Sequence, residues 1–238
     1  MPTIKANDIN IYYEVHGEGE PLVLIAGLGT DLTVYGRVIN CLSKNFRVLA
    51  FDNRGVGRTD MPDMPYSIEM MADDTVALMN ALGIKKAHIL GISMGSRIAM
   101  ALALQHPEMV KCLVLTSTFA RKRQNTVKSF LRYNILRRLS IHRTLRKYPQ
   151  PEYAFQRQLK ASGSYDCMDR LDRLNVPTLI LQGKADKIAP LSQAEEMHTR
   201  IKGSNLVTFQ GGHIFFMMQL EQFCNAVIEF LKGSGGLP

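Results

Sequence analysis

The chain has 238 residues, of which 46% are hydrophobic and 21% are charged, and its formal net charge at pH 7 is +8. This composition is typical of a globular protein with one sizeable core, which excludes a disordered chain. No stretch approaches about 18 uninterrupted apolar residues, and residues 1–17 lack the basic flank and apolar run of a signal peptide, so we expect a soluble, cytoplasmic protein.

Short apolar runs alternate with helical patterns along most of the chain, which is typical of an α/β fold with a mostly parallel central sheet flanked by helices. The predicted strands are, in chain order, INIYYEVHG, PLVLIAG, FRVLAFD, AHILGIS, CLVLTST, PTLILQG and NLVTFQG. The first alternates in polarity and is followed by Gly-Glu-Gly-Glu, which predicts the start of an antiparallel edge hairpin. The others are expected to be buried on both faces.

Outside residues 119–173, three segments have the apolar spacing of helices. The first is SIEMMADDTVALMNALG, which we expect to begin after a cap at Ser67 and to end at Gly83. The second, MGSRIAMALALQHP, ends at a proline, and the third, EQFCNAVIEFLKG, lies near the end of the chain.

Residues 119–173 interrupt this alternation, because no strand pattern occurs in them. Residues 126–148 place apolar side chains along one helical face. The segment 119–173 is therefore predicted to be a short helical cap insertion, and residues 1–118 and 174–238 form the core.

The positive charge is concentrated in and near this insertion. No acidic residue occurs between Glu108 and Glu152, whereas eleven basic residues do: Lys111, Arg121, Lys122, Arg123, Lys128, Arg132, Arg137, Arg138, Arg143, Arg146 and Lys147. Three interpretations remain open: a solvated helical face, attraction of anionic substrates, or weak contact with an anionic membrane surface. Nucleic-acid binding is not expected, because the segment has no recognisable nucleic-acid-binding fold.

The stretch HILGISMGSRIAMALAL places Ser93 between Gly91 and Gly95, after a predicted strand and before a predicted helix. Such a sharp strand-to-helix turn needs small neighbours and holds the serine in a strained conformation. The N-terminal end of the helix, which carries partial positive charge, then favours negative charge near the hydroxyl. Ser93 is therefore predicted to be a nucleophile.

A serine nucleophile needs a base and a group that orients the base. His213, in FQGGHIFF, follows the last strand and is the predicted base, whereas His16, His88, His106, His142 and His198 are expected to be structural. Asp186 follows the strand PTLILQG and completes the order Ser, Asp, His. Asp52 precedes the nucleophile and is predicted to be structural.

Two backbone N–H groups are needed to stabilise an oxyanion. The predicted donors are Met94, directly after the nucleophile, and Leu28, in the loop AGLGTD. Phe119, Phe215 and Met217 are predicted to line the substrate pocket. The glycines beside Leu28 do not match a dinucleotide or phosphate-binding motif.

Taken together, AGLG, FDNRGVGRTD, GISMGS, HPEMVKCLVL, VPTLILQGKADKIAP and GGHIFF resemble the α/β-hydrolase superfamily over nearly the whole core. The resemblance implies Ser93, Asp186 and His213 as a triad, backbone donors at Leu28 and Met94, and no metal or organic cofactor. The chain looks most similar to small carboxylesterases and enol-lactonases. Many members carry His-Gly where this chain has Ala26-Gly27, so we expect the loop after the strand PLVLIAG to lack side-chain support.

The sequence thus predicts a serine hydrolase that cleaves a small-molecule ester or lactone. A small-molecule sensor with the same pocket and a cofactor-free acyltransferase or perhydrolase are the alternatives, since each can retain the same three residues. The oligomeric state is left open. Four cysteines, Cys41, Cys112, Cys167 and Cys224, lack Cys-x-x-Cys spacing and predict neither a metal site nor a disulfide framework.

Overall fold

The fold is that of a computed structural model, which describes residues 2–122, 147–148 and 150–233. The described residues include eight strands of one sheet: β1 (Thr3–Ala6), β2 (Ile9–His16), β3 (Pro21–Ile25), β4 (Arg47–Phe51), β5 (Ala87–Ile92), β6 (Val110–Thr116), β7 (Thr178–Gly183) and β8 (Asn205–Phe209). Their order across the sheet is β1-β2-β4-β3-β5-β6-β7-β8. The pairs β1–β2 and β2–β4 are antiparallel, and all the other neighbouring strands are parallel.

Helices connect the strands on both faces of the sheet. They are α1 (Gly36–Leu42), α2 (Ile68–Ala81), α3 (Met94–Gln105), α4 (Glu152–Ser164), α5 (Leu191–Arg200), α6 (Phe215–Met218) and α7 (Leu220–Gly233). Short 3₁₀ helices span Leu32–Tyr35, Pro107–Met109 and Met168–Arg173. None of the helices in this part of the chain has the length and apolar character that a membrane span requires.

The helix α2 begins and ends as its sequence predicts. The side chain of Ser67 accepts a hydrogen bond of 3.0 Å from the Met70 N–H, which satisfies one of the free donors at the start of the helix. At the other end Gly83 has a φ of +69°, a conformation that glycine adopts without steric cost.

The central strands separate two hydrophobic clusters because successive side chains point to opposite faces. In β3, Leu22 and Leu24 pack on one face with residues of α1 and α7. Val23 and Ile25 pack on the other face with residues of α2 and α3. Each of these side chains is fully buried and contributes about 1.5–3 kcal/mol to the free energy of unfolding.

Two strand predictions were wrong in detail. The edge hairpin is formed by β1 and β2 around Asn7, whereas Gly17 leads into β3, which is separated from β2 by β4. The strand β8 is not buried on both faces: it lies at the edge of the sheet, and Val207 is 37% exposed. An apolar strand at an edge and one at the centre have similar sequences, so composition did not separate them.

The predicted cap is helical where the structure describes its second half, in α4 and in Met168–Arg173. Ala161, Tyr165 and Leu171 pack in the same hydrophobic cluster as α2 and α3. Most of the helix predicted over residues 126–148 lies outside the described residues, and so does most of the basic segment. Of its described members, Lys111 and Arg121 form ion pairs with Glu20 and Glu196, respectively.

Candidate active site

Ser93 occupies the strand-to-helix turn that the sequence predicts, between β5 and α3. Its φ and ψ are 56° and −114°, and a positive φ is costly for a residue with a side chain. A Cβ atom at Gly91 would lie 2.4 Å from the Ser96 Cα, and one at Gly95 would lie 2.0 Å from the Ile25 carbonyl oxygen. Both glycines are therefore required by close backbone contacts on either side of Ser93.

Hydrogen bonds to β6 and to the residues after it hold this turn in place. The Ser93 N–H donates to the Thr116 carbonyl over 2.8 Å, and the Thr118 hydroxyl donates to the Ser93 carbonyl over 3.1 Å. The Ser96 hydroxyl donates to the Gly91 carbonyl over 2.7 Å. The strained conformation of Ser93 is thus fixed by its surroundings, and its side chain stays partly exposed between buried neighbours.

His213 lies in the loop between β8 and α6, and its imidazole reaches Ser93. The Nε2 atom is 2.9 Å from the Ser93 Oγ, and the side chain is 20% exposed. The backbone of this loop is tied to the end of β6, because the Ser117 hydroxyl donates to the His213 carbonyl over 2.8 Å. The structure therefore brings His213 and Ser93 into hydrogen-bonding contact although 120 residues separate them.

Asp186 completes this chain of contacts, and its Oδ2 atom is 2.8 Å from the His213 Nδ1. Its Oδ1 atom accepts hydrogen bonds from the N–H groups of Ile188, at 2.8 Å, and Ala189, at 3.0 Å. The Gln182 amide also donates to Oδ2, over 3.1 Å. The Asp186 side chain is completely buried and is held from several directions.

The ionisation of Asp186 follows from these contacts. Burial raises the pKa of this carboxyl, but the hydrogen bond and charge of His213, together with the N–H groups of Ala189 and Ile188, lower the pKa by more. The net shift is downwards, so Asp186 is a carboxylate at neutral pH. A carboxylate can only accept, which places the imidazole proton on Nδ1 and leaves Nε2 free to accept the Ser93 proton.

The loop between β3 and the 3₁₀ helix Leu32–Tyr35 runs beside Ser93. A Cβ atom at Gly27 would lie 3.5 Å from the Ser93 Cβ. The Gly27 N–H donates to the Tyr35 hydroxyl over 2.9 Å, and the Gly29 N–H donates to the Gln158 Oε1 over 3.0 Å.

The N–H groups of Leu28 and Met94, which are the predicted oxyanion donors, have no hydrogen-bond partner among the described residues. Met94 is the first residue of α3, where backbone N–H groups carry partial positive charge. Both N–H groups are therefore available to stabilise an oxyanion, if one forms at Ser93.

The loop does not lack side-chain support, contrary to the expectation from Ala26-Gly27. The Asn53 amide donates to the Ala26 carbonyl over 2.9 Å, and Tyr35 and Gln158 accept from the flanking glycines. The Asn53 contact had a signal in the FDNRGVGRTD motif. Gln158 had none, because it lies 129 residues from Gly29 in a segment of no recognised motif.

The predicted pocket residues do not share one location. Phe119 is partly exposed, and its ring centroid is 4.4 Å from the guanidinium carbon of Arg97. Phe215 is buried in the core, where its ring stacks on Phe209 at 4.6 Å, and Met217 packs against the same hydrophobic cluster. Phe215 is therefore taken up by core packing and is not available to line a pocket, whereas Met217, which is partly buried, and Phe119 remain predictions for the pocket lining.

The remaining predicted structural residues have partners of their own. Asp52 is buried and accepts from the N–H groups of Leu32 and Arg58 and from the Arg58 guanidinium. Four other histidines have polar partners: His16 with Glu14, His88 with Glu20, His106 with Glu108, and His198 with Ser204. His142 lies outside the described residues. In the described part of the chain, no group of histidine, cysteine and carboxylate side chains is arranged to hold a metal ion.

Comparison with known proteins places this chain in a family. Residues 20–158, more than half of the chain, match the model of the alpha/beta hydrolase fold, and residues 157–236 match that of the TAP-like proteins. A putative carbamate hydrolase RutD from Caulobacter sp. (strain K31) is 28% identical, and the match covers 94% of this chain and 96% of that protein.

Solved structures agree with the family models. The enol-lactonase from Burkholderia xenovorans LB400 is 27% identical with a TM-score of 0.83, and the match covers 97% of this chain and 100% of that one. A thermophilic esterase from Thermogutta terrifontis is 27% identical with a TM-score of 0.86 and 98% coverage of both chains. The chain therefore belongs to the α/β-hydrolase fold family, and it is a hydrolase.

Proposed function

We propose that the protein hydrolyses a carboxylic ester or lactone through an acyl-enzyme formed on Ser93, with His213 as the base and Asp186 as the group that orients it. The observation that carries this proposal is the continuous hydrogen-bonded chain from the Ser93 Oγ through the imidazole to the buried carboxylate, with distances of 2.9 and 2.8 Å. These are the contacts that a serine hydroxyl needs in order to lose its proton as it attacks.

In the first half of the reaction, the Ser93 Oγ attacks the carbonyl carbon while the His213 Nε2 takes the hydroxyl proton. The carbonyl oxygen becomes an oxyanion that the N–H groups of Leu28 and Met94 stabilise. The bond to the leaving alkoxide then breaks, and His213 returns the proton to it as the alcohol forms. With a lactone, the alcohol remains attached to the acyl group.

In the second half, His213 removes a proton from water, and the hydroxide attacks the acyl carbon. The bond to the Ser93 Oγ breaks, and the serine recovers its proton from the imidazole. Asp186 stays ionised throughout, because its lowered pKa favours the carboxylate, and it stabilises the imidazolium that exists between the two proton transfers.

Carbamate hydrolysis is a second candidate, and the observation that favours it is the match to the putative carbamate hydrolase RutD over 94% of this chain. A carbamate carbonyl would be attacked by Ser93 in the same way, but its nitrogen donates electrons to the carbonyl carbon and makes it less reactive. The enol-lactonase and esterase likenesses favour the ester or lactone reaction.

A substrate panel with matched variants tests the proposal. Hydrolysis of p-nitrophenyl esters, lactones and carbamates is measured with the wild type, with Ser93→Ala and with Ser164→Ala, which changes an exposed serine of α4. We expect turnover of at least one ester or lactone by the wild type and by Ser164→Ala, and none by Ser93→Ala. Equal rates for Ser93→Ala and the wild type would contradict the proposal.

The same panel separates the other candidates. Turnover of carbamates alone would favour the second candidate. Tight binding without turnover of any compound would favour a sensor, and a change in product ratio on addition of an alcohol or hydrogen peroxide would favour an acyltransferase or perhydrolase.

A further inference from the structure

The helix α4 places one buried glutamine against the loop that carries Leu28. Gln158 has no exposed surface, and its two amide atoms have different partners. Its Oε1 accepts from the Gly29 N–H over 3.0 Å, and its Nε2 donates to the Arg54 carbonyl over 2.7 Å. The side chain therefore joins two loops that follow different strands, β3 and β4.

A second glutamine fixes the orientation of the first. The Gln150 Nε2 donates to the Gln158 Oε1 over 3.2 Å and to the Gly55 carbonyl over 2.7 Å. An amide rotated by 180° would bring its NH₂ group against the Gly29 N–H and its oxygen against the Arg54 carbonyl. Buried polar atoms without partners are costly, so Gln158 is held with its oxygen towards Gly29.

The contact has a consequence for the donor beside it. Tyr35 accepts from the Gly27 N–H and Gln158 accepts from the Gly29 N–H, so the peptide groups on both sides of Leu28 are fixed. Fixing both flanking N–H groups restricts the direction of the Leu28 N–H between them, and the Thr30 hydroxyl, which donates to the Gly27 carbonyl over 3.0 Å, holds the same peptide group from its other side. An oxyanion donor is effective only if it is oriented before the reaction begins.

We propose that Gln158 is a positioning residue of the active site: from α4 it sets the geometry of the loop so that the Leu28 N–H points at the oxyanion. This inference rests on the proposed function. The loop that carries Leu28 is then supported in part from α4, in the second half of the predicted insertion. One requirement of the reaction therefore lies outside the sheet and the loops that directly follow its strands.

A purely structural role for Gln158 makes a different prediction. If the amide served only to attach α4, its removal would lower the free energy of unfolding and leave the reactivity of the folded enzyme unchanged. A positioning role requires that transition-state stabilisation falls in the folded enzyme, with little change in KM.

The experiment replaces the amide with a side chain of similar length that cannot accept a hydrogen bond. Gln158→Met is compared with the wild type and with Gln156→Met, the same substitution at an exposed position of the same helix. The rate of labelling of Ser93 by a fluorophosphonate is measured well below the melting temperature of each variant, followed by kcat and KM with an ester. The label requires no knowledge of the physiological substrate.

We expect Gln158→Met to label about 10- to 100-fold more slowly than the wild type, with kcat reduced in parallel and KM within about threefold, while Gln156→Met is unchanged. Gln158→Glu keeps an acceptor for the Gly29 N–H and should retain more of the rate than Gln158→Met. If Gln158→Met does not fold, Gln158→Ala takes its place, and labelling slowed by about fivefold or more supports the proposal.

Two results would overturn the inference, and they differ from each other. Labelling of a folded Gln158→Met or Gln158→Ala at the wild-type rate would overturn the positioning role alone. A wild type that is not labelled at Ser93 would overturn the proposed function and the positioning role together.

Discussion

Two of the histidine–carboxylate pairs lie at opposite ends of the parallel strands, and only one of these two contacts the serine that we propose as the nucleophile. His213 contacts Asp186 at 2.8 Å, and His88 contacts Glu20 at 2.9 Å. In the first pair the carboxylate is 0% exposed and the imidazole 20%, whereas in the second the imidazole is 1% exposed and the carboxylate 54%. The second nitrogen of His213 reaches Ser93, whereas the His88 Nδ1 has no hydrogen-bond partner among the described residues.

The position of each pair along the strands explains this difference. His213 and Asp186 lie in loops that follow β8 and β7, and the carboxyl ends of parallel strands meet at one edge of the sheet, where Ser93 also lies. His88 is the second residue of β5, and Glu20 directly precedes β3, so this pair lies at the amino-terminal ends of the parallel strands, opposite Ser93. Of these two contacts, the candidate for catalysis is therefore the one whose carboxylate is buried and whose second imidazole nitrogen faces a hydroxyl group.

The largest expected effect comes from removing the proposed base. His213→Gln should lower kcat for an ester by about 10⁶-fold, because Ser93 loses the group that accepts its proton. The matched change His88→Gln should leave kcat within about twofold of the wild type, since His88 lies at the other end of the parallel strands, away from Ser93. Steady-state kinetics on both variants measures the contrast, and a similar loss in the two would contradict it.

Substitution of the two carboxylates should show the same contrast in kcat. Asp186→Asn should lower kcat by about 10⁴-fold, because the amide can donate to Nδ1 and so favours the tautomer that cannot accept the Ser93 proton. Glu20→Gln should leave kcat unchanged, because its main partners are Lys111 and His88. If Asp186→Asn retained the wild-type kcat, an orienting role for Asp186 would be excluded.

The backbone next to Ser93 should also tolerate an added Cβ atom less well than the backbone of α1. Gly95→Ala should destabilise the protein by about 3 kcal/mol or prevent folding, because its Cβ atom would lie 2.0 Å from the Ile25 carbonyl oxygen. Gly36→Ala, in α1, has open space around the new atom and should be neutral or stabilising by up to about 1 kcal/mol. Urea unfolding of both variants tests this, and equal midpoints would show that the close contact at Gly95 is not required.

The smallest expected effect is on the pH dependence of stability, where the two pairs should act in different ranges. Burial lowers the pKa of His88 despite the nearby Glu20, so the folded state binds the proton less readily than the unfolded state. The stability that neutral His88 contributes should be complete above about pH 6.5 and should decrease as the pH falls below this value. The pKa of Asp186 is also lowered, so its contribution should decrease only below about pH 4.

Urea midpoints between pH 8 and pH 3 separate these contributions. His88→Gln should remove part of the stability loss that begins below about pH 6.5, and Asp186→Asn part of the loss below about pH 4. If His88→Gln lost stability as steeply as the wild type just below pH 6.5, burial of neutral His88 would not be the cause.

Much of the site could be predicted because its strongest requirements are local. Gly91 and Gly95 flank Ser93 at fixed spacing, and His213 and Asp186 each follow a strand. The backbone geometry at these positions therefore depends on neighbouring residues in the sequence. The supports of these residues are not local: Ser117 holds the His213 loop from 96 residues away, and Gln158 holds Gly29 from 129 residues away. Single residues of common types, brought together only by the tertiary fold, leave no pattern in the sequence.

The fold class could be predicted from the sequence, but the position of each strand in the sheet could not. Alternation of strands and helices indicated the parallel sheet, but not which strand is at its edge, because Val207 in β8 is as apolar as the residues of a central strand. Phe215, two residues after His213, was expected to line the substrate pocket. Phe215 packs against Phe209 instead, because a short helix directs its first side chain towards the core.

The acyl-enzyme itself is the most direct test of the account. The wild type is mixed with p-nitrophenyl acetate and quenched with acid, and its peptides are mapped by mass spectrometry. The account predicts an acetyl group on the peptide that contains Ser93, and no acetyl group there in Ser93→Ala. Release of p-nitrophenol by Ser93→Ala at the wild-type rate, or an acetyl group confined to another residue, would contradict it.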